Sequence, residues 1–215
     1  LPLLLSACGG GGGGGGSGGA ASYTVPSCTD SGTRDTEYLF MGKYNGENGL
    51  TRICASAAYA RDATGDGIKV AVLDTGITVN GSNAVFHTEL DANVASFTSG
   101  SDLIGTDNVP NDEEGHGSHV AGIIAGENNG SGYHGVAYDA TLYIYKVLND
   151  SGSSVGNSIA SGITKARGDG VDIMNLSLGD SGTIGTTCNS ASSCETSMGS
   201  TLYTELEASG AAGKI

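Results

Sequence analysis

The sequence has little positive charge and no long hydrophobic run at its start. Its 215 residues contain 9 Lys and Arg against 23 Asp and Glu, so the formal net charge is −14 at pH 7. Nucleic acids and anionic membrane surfaces attract basic proteins, so this charge argues against both as partners. The opening apolar run, Leu1–Leu5, is far too short to cross a bilayer. The length fits one globular domain with a tail.

The tail is predicted to cover residues 1–22. Its segment Leu5–Cys8 (LSAC) resembles the end of a bacterial lipoprotein signal, in which Cys8 is the residue that carries the lipid. A nearly pure glycine tract follows, and such a linker buries no apolar surface. We therefore expect an exported protein, anchored in the cell envelope or at the cell surface through Cys8. The alternative is a leftover secretory segment with an incidental cysteine.

Four further cysteines form an even set, which favours two disulfides in an exported protein. Their order along the chain favours Cys28 with Cys54 and Cys188 with Cys194. The sequence leaves the other two pairings open.

Residues 23–63 are polar and turn-rich, and we interpret them as an N-terminal extension with one helix over about Leu50–Arg61. Residues 64–215 alternate apolar strand patterns with helical ones, which predicts βαβ units, a right-handed crossover and a parallel sheet. The predicted strands are Ile68–Leu73, Thr141–Leu148 and Val171–Leu178, and the predicted helices are Gly115–Gly126, Ser154–Arg167 (with Val155, Ile159 and Ile163 on one face) and about Gly199–Ala212.

Asp74 directly follows the first of these strands, and Thr75-Gly76 lets the chain turn sharply there. Catalytic groups in α/β sheets lie beyond the carboxyl ends of the strands, although Asp is also a common turn residue. Asp-Thr-Gly is found in aspartic proteases as well, but those enzymes need two such carboxylates. This sequence contains one such triplet, in a parallel α/β context.

Two histidines, His116 and His119, lie in HGSHVAG at the predicted start of a helix. The zinc metalloprotease pattern needs histidines four residues apart with a glutamate between them, which is not the spacing here. A looser metal site with Glu113 and Glu114 remains an alternative. A helix start of this kind, with glycines that allow close backbone approach at Gly122 and Gly126, presents His116 toward the ends of the strands.

The segments VAVLDTGI and HGSHVAG, in this order, resemble the subtilisin-like serine proteases, or subtilases. The resemblance continues through GVAYDATLYIYKVL and DIMNLSLG and covers about Thr64–Gly179. It implies an α/β fold of three layers, with a mainly parallel central sheet and helices on both faces. It also implies a serine endopeptidase acting on proteins or peptides, with Asp74 as the acid and His116 as the general base. His119 would then be a packed or hydrogen-bonded helix residue.

The resemblance implies substrate contacts as well. Ser177, Leu178 and Gly179 match the segment whose backbone pairs with an extended peptide, and Gly152 and Ser153 resemble the opposite edge of the cleft. No cofactor or catalytic metal is implied. A structural calcium site is allowed where HTEL, His87–Leu90, comes together with Asn128 and Asn129, with glutamate in the place of the usual aspartate.

The family's nucleophile segment, Gly-Thr-Ser-Met-Ala, and its oxyanion-hole asparagine are not found in the sequence. Ser197 in CETSMGS lacks the leading glycine and lies too close to Ser177. We therefore expect residues 64–215 to be the N-terminal part of the catalytic domain, and this chain alone to be inactive. The acidic composition and glycine spacer resemble surface or autotransported proteases of Gram-negative bacteria. The alternatives are a non-catalytic peptide-binding module and a zinc hydrolase using His116 and His119.

Overall fold

The computed structural model describes residues 33–40, 43–44, 47–81, 84–85, 87–105, 107–179 and 200–213. The predicted tail, Cys8, Cys28, Cys188, Cys194 and Ser197 lie outside these ranges. None of the helices within them is both long and apolar enough to cross a membrane. The elements are α1 (Thr36–Phe40), β1 (Lys43–Tyr44), β2 (Glu47–Asn48), α2 (Gly49–Arg52), α3 (Ala55–Tyr59), β3 (Lys69–Asp74), α4 (His116–Ala125), β4 (Thr141–Lys146), α5 (Ser158–Gly168), β5 (Ile173–Asn175) and α6 (Ser200–Ala211).

The central sheet has the order β4-β3-β5, and β3 runs parallel to both neighbours. Asp74 lies opposite Lys146 in the register, and Val72 lies opposite Asn175. Every residue of β3 after Lys69 is buried, as expected for a strand covered on both faces. The predicted parallel α/β architecture is confirmed.

Alternate residues of β3 face two different cores, because successive side chains of a strand point to opposite faces. Val70 and Val72 pack in the core that contains Ala121 and Ala125 of α4. Ala71 and Leu73 pack in the core that contains Ile163 of α5, with Leu202 and Leu206 of α6 against it. Helices therefore cover both faces of the sheet, which confirms the three layers.

The N-terminal helices pack on the loop before β4 through a cluster of aromatic rings. Tyr59 and Tyr138 have ring centroids 5.1 Å apart, and His134 lies 4.7 Å from Tyr138. The Tyr59 hydroxyl donates a hydrogen bond of 2.8 Å to the carbonyl of Val136, and burial raises the pKa of this hydroxyl. The proposed boundary between residues 63 and 64 stays a prediction.

The single helix predicted over Leu50–Arg61 is wrong. Cys54 has a left-handed backbone, with φ of 55°, and separates α2 from α3. A right-handed helix cannot continue through such a residue. Cys54 is disulfide-bonded in the structure. All other cysteines lie outside the described ranges, so the predicted pairings stay predictions.

The prediction that Val155 shares one face of the next helix with Ile159 and Ile163 is also wrong. Helix α5 begins only at Ser158, and Val155 precedes it and is 54% exposed. The hydroxyl of Ser158 accepts a hydrogen bond from the Val155 backbone and donates one to the Val147 carbonyl, so this serine shapes the turn before the helix. The third predicted strand is confirmed in a shorter form, Ile173–Asn175.

Candidate active site

Asp74 is the last residue of β3, and it is fully buried at the carboxyl edge of the sheet. Its Oδ1 accepts a hydrogen bond of 2.7 Å from the backbone N–H of Thr75. Its backbone carbonyl accepts two more, from Val147 and Leu148. Its Oδ2 is buried and has no hydrogen-bond partner within the described residues. The strand end and the adjoining loop therefore hold this carboxylate in one position.

His116 is the first residue of α4, and its Nδ1 lies 2.7 Å from Oδ1 of Asp74. A carboxylate can only accept, so Nδ1–H is the donor in this hydrogen bond. The neutral imidazole then carries its free acceptor at Nε2. The His116 side chain is 48% exposed while that of Asp74 is fully buried. The fold brings together a carboxylate and an imidazole that are 42 positions apart in the sequence.

The pKa of His116 is raised above the ordinary imidazole value. The main cause is the hydrogen bond to Asp74; burial lowers the pKa, and the negative charges of Asp74, Glu114 and Asp112 raise it further. The Asp74 interaction therefore stabilises the fold fully below the ordinary imidazole pKa, and this contribution is lost as pH rises through the raised pKa. The neutral, basic form of the ring predominates only above that pKa.

Asp112 connects the turn after Asp74 to the start of α4, and it is 4% exposed. Its Oδ1 accepts hydrogen bonds from the Thr75 hydroxyl and from the Gly115 backbone, at 2.9 and 2.7 Å. Its Oδ2 accepts two from Ser118, one from the backbone and one from the hydroxyl. Burial alone would raise the pKa of Asp112, but the hydrogen bonds from Ser118, Gly115 and Thr75 together hold it below its ordinary value.

Gly117 lets the helix approach the Asp74 turn closely. Its backbone N–H donates a hydrogen bond of 2.9 Å to the Thr75 hydroxyl, and a Cβ on Gly117 would lie 2.4 Å from the carbonyl oxygen of Gly76. Close approach was predicted at Gly122 and Gly126. A Cβ on Gly126 would indeed lie 3.3 Å from the backbone of Gly135, but the approach that matters for the site is at Gly117.

A cleft of about 520 Å³ opens beside His116. All five predicted substrate residues line it: Gly152, Ser153, Ser177, Leu178 and Gly179. The structure therefore brings these two separate segments together with the histidine. The cleft has five further lining residues that were not predicted from the sequence: Thr75, Glu114, Leu148, Ser154 and Ile159. Of these, Glu114 was detectable as a charged residue two positions before His116.

One wall of the cleft is a short hairpin, in which Leu148 pairs with Ser154. The buried ammonium of Lys146 donates to the Thr75 carbonyl and to Oδ1 of Asp150, both at 2.7 Å. This lysine therefore ties the hairpin to the turn that follows Asp74. Because Lys146 is 6% exposed, its charge is directed into the protein and away from the cleft.

The opposite wall follows β5. The side-chain amide of Asn175 donates a hydrogen bond of 2.9 Å to the Ser177 hydroxyl. This bond holds the start of the segment Ser177–Gly179, which follows the strand. Ser177 and Gly179 are exposed and Leu178 is half-buried. An exposed backbone of this kind can pair with an extended peptide as an added strand.

His119 lies in a different place from His116. It is exposed and lines a separate pocket of about 180 Å³ with His87 and Glu89. Of the prediction that it is a packed or hydrogen-bonded helix residue, the packed alternative is therefore wrong, and the hydrogen-bonded one stays a prediction. The reason is that α4 buries its small residues against the sheet. No group of three His, Cys, Asp or Glu residues in the described part of the chain could hold a metal ion. The two histidines therefore do not converge on a zinc site.

The region predicted for calcium brings together residues that are distant in the sequence. The side-chain amide of Asn129 donates to the Thr88 carbonyl at 3.4 Å, and that of Asn128 donates to Asp35. Glu89 is half-buried, and its Oε2 is shielded and has no hydrogen-bond partner among the described residues. Burial raises the pKa of Glu89, and the charges of Glu37 and Glu127 raise it further while His87 lowers it.

Comparison with known proteins shows a match between residues 65–211 and the model of the subtilase family. Subtilisin Savinase from Lederbergia lenta is 43% identical over 148 residues, which are 67% of this chain and 51% of that protein. The alkaline protease of Alkalihalobacillus alcalophilus is also 43% identical over 148 residues, which are 36% of its length. Alkaline elastase YaB from Bacillus sp. (strain YaB) is 44% identical over 134 residues, which are 62% of this chain and 32% of that protein. The chain spans about a third to a half of the length of these curated relatives.

We predict that Asp74→Asn lowers the pKa of His116, because it removes the carboxylate that accepts the Nδ1–H hydrogen bond and stabilises the imidazolium. Proton NMR of the imidazole signals across a pH titration measures the midpoint. Asp91→Asn, at an exposed aspartate outside the cleft, is the control and should leave the His116 midpoint unchanged. An identical midpoint in the wild type and Asp74→Asn would contradict the assigned hydrogen bond.

Proposed function

The chain belongs to the subtilase family, and on this premise we propose that the full-length protein is a serine endopeptidase with Asp74 as its acid and His116 as its general base. The observation that carries the proposal is the 2.7 Å hydrogen bond between the two residues beside an open cleft. The buried carboxylate holds the imidazole in the tautomer whose Nε2 is free to accept a proton.

In the proposed reaction, Nε2 of His116 takes the proton from a serine hydroxyl as the oxygen attacks the peptide carbonyl. The same nitrogen then delivers that proton to the leaving amine. Asp74 orients the ring throughout and stabilises the imidazolium that forms between the two transfers. The position of the serine in the full-length protein stays a prediction of the resemblance.

The substrate is proposed to be an extended peptide lying between the two walls of the cleft. The backbone of Ser177–Gly179 would pair with it on one side, and Gly152 and Ser153 would face it on the other. Gly152 has a φ of 71°, which a side chain would disfavour, so the tip of this hairpin presents backbone rather than bulk.

We predict that Asp74→Ala and His116→Ala each lower kcat by on the order of 10⁴-fold or more, because the first removes the group that orients the imidazole and the second removes the base itself. The measurement is hydrolysis of casein and of a peptide anilide by the full-length protein. His119→Ala is the matched control, since this exposed histidine lies on the same helix in a different pocket and should keep activity. Retention of activity in His116→Ala would refute the assignment. A wild type that binds peptides without cleaving them would favour the binding module.

We also propose a structural calcium site at Glu89. Its shielded carboxylate oxygen and the adjacent Thr88 carbonyl, which the Asn129 amide also reaches, are oxygen ligands of the kind that calcium prefers. Burial raises the pKa of Glu89 most, and the charges of Glu37 and Glu127 raise it further; a divalent cation would offset this repulsion. The ion's role would be structural, with no step of the reaction depending on it.

Calcium is predicted to stabilise the protein by an amount that grows with the logarithm of the free calcium concentration above Kd. At a concentration of 100 times Kd the gain is about 2.7 kcal/mol, which corresponds to an increase in Tm of roughly 5–10 °C. Thermal unfolding in calcium and in EGTA measures it, with magnesium at equal ionic strength as a control. Glu89→Gln should abolish most of the difference, whereas Glu113→Gln, at an exposed glutamate outside both pockets, should keep it. Equal Tm values in calcium and EGTA would exclude the site.

We further propose export and a lipid anchor at Cys8. The sequence LSAC before the glycine tract supports the anchor. A relative named minor extracellular protease Vpr, from Bacillus subtilis (strain 168), is 41% identical over 138 residues, and its name supports export. Cells expressing the protein should incorporate labelled palmitate into the wild type, and the Cys8→Ser variant should lose the label. Equal labelling of both proteins would rule out Cys8 as the anchor.

A further inference from the structure

Glu114 has a distinctive position in the cleft. It is exposed, and among the described residues that line the cleft it is the one carboxylate. It precedes His116 by two residues, so its charge lies beside the proposed general base. Glu114 is close enough to His116 for its negative charge to contribute to the raised pKa of the imidazole.

Two hydrogen bonds hold Glu114 in place. Its Oε2 accepts the backbone N–H of His116 at 2.8 Å, and its own backbone N–H donates to Oδ1 of Asp112 at 3.1 Å. The carboxylate therefore sits at the N-terminus of α4, where the helix dipole favours negative charge. A charge held in this way is preorganised, because binding a substrate need not order the side chain further.

No cation on the cleft wall offsets this charge within the described residues. Apart from His116, the other lining residues carry no charge. The ammonium of Lys146 is buried and bonded to Asp150 and the Thr75 carbonyl. The neighbouring Glu113 is exposed but does not line the cleft, and Asp112 is buried behind it. The cleft surface beside His116 is therefore negative when the imidazole is neutral.

We propose that Glu114 makes the protein prefer peptides with a Lys or Arg side chain within two residues of the scissile bond. This inference rests on the proposed function, and it names the substrate class for that site. A basic side chain reaches the carboxylate with its charged end while its apolar stem lies along the cleft, where Leu148 and Ile159 are part of the lining. Exposed ion pairs are weak, so we expect roughly a two- to fivefold gain in kcat/KM.

The test uses fluorogenic peptides and the full-length protein. In one series, lysine is moved through each position from the second residue before the scissile bond to the second after it. In the matched series, norleucine replaces the lysine, since it has a similar stem without the charge. At one position lysine should be cleaved roughly two- to fivefold better than norleucine at low salt, and added salt should reduce the ratio because it screens exposed charges.

Glu114→Gln should bring the lysine-to-norleucine ratio close to one. Glutamine keeps an oxygen that can accept the His116 backbone hydrogen bond, so the variant removes the charge and retains the helix start. Glu113→Gln changes the net charge by the same amount on the adjacent residue outside the cleft, and the ratio should survive in it. This pair distinguishes a local contact from the general attraction of a protein with a net charge of −14.

The proposal is overturned if no position prefers lysine, if Glu114→Gln keeps the preference, or if Glu113→Gln loses it equally. Failure of the wild type to cleave any peptide would refute the proposed function and leave the role of Glu114 to be decided by binding. In that case, fluorescence anisotropy compares the affinities of the lysine and norleucine peptides for the wild type and Glu114→Gln. Equal affinities of the wild type for both peptides would then overturn the proposal.

Discussion

The buried carboxylate of Asp112 is the constraint on which the site depends. It accepts hydrogen bonds from the Thr75 hydroxyl on one side and from Gly115 and Ser118 on the other. A negative charge in this position would be costly without such partners, and with them it fixes the turn after β3 against the first turn of α4. The short hydrogen bond between Asp74 and His116 follows from that arrangement.

A second buried and hydrogen-bonded charge, that of Lys146, fixes one wall of the cleft. Lys146 is a buried cation that joins the Thr75 carbonyl to Asp150, so the wall that carries Gly152 and Ser153 is attached to the Asp74 turn. Buried charges on both sides of this turn are satisfied by hydrogen bonds, and the exposed groups, His116 and Glu114, are left to face the cleft. The structure separates charges that support the site from charges that a substrate can reach.

Much of this arrangement was predictable from local patterns. The buried run before Asp74 predicted the central strand, and Gly115-His116-Gly117 predicted a helix start, although the close backbone approach was predicted further along the helix than at Gly117, where the site needs it. Predictions failed where a single residue changed the local geometry. Cys54 adopts a left-handed backbone that divides a helix whose apolar spacing looked continuous, and Ser158 delays α5 beyond Val155. The spacing of apolar residues predicts neither a left-handed backbone at one residue nor a delayed helix start.

The sequence by itself determined the family and the order of the main strands and helices of residues 64–215, and it predicted Asp74 and His116 as the acid and the base, because these follow from short motifs and from period-2 and period-3.6 patterns. The tertiary structure decided which side chains meet. It placed His116 in the cleft and His119 in another pocket, and it set Glu114 beside the proposed base. The physical reason is that contacts between residues 42 positions apart depend on the three-dimensional path of the backbone and on buried groups such as Asp112 that fix it.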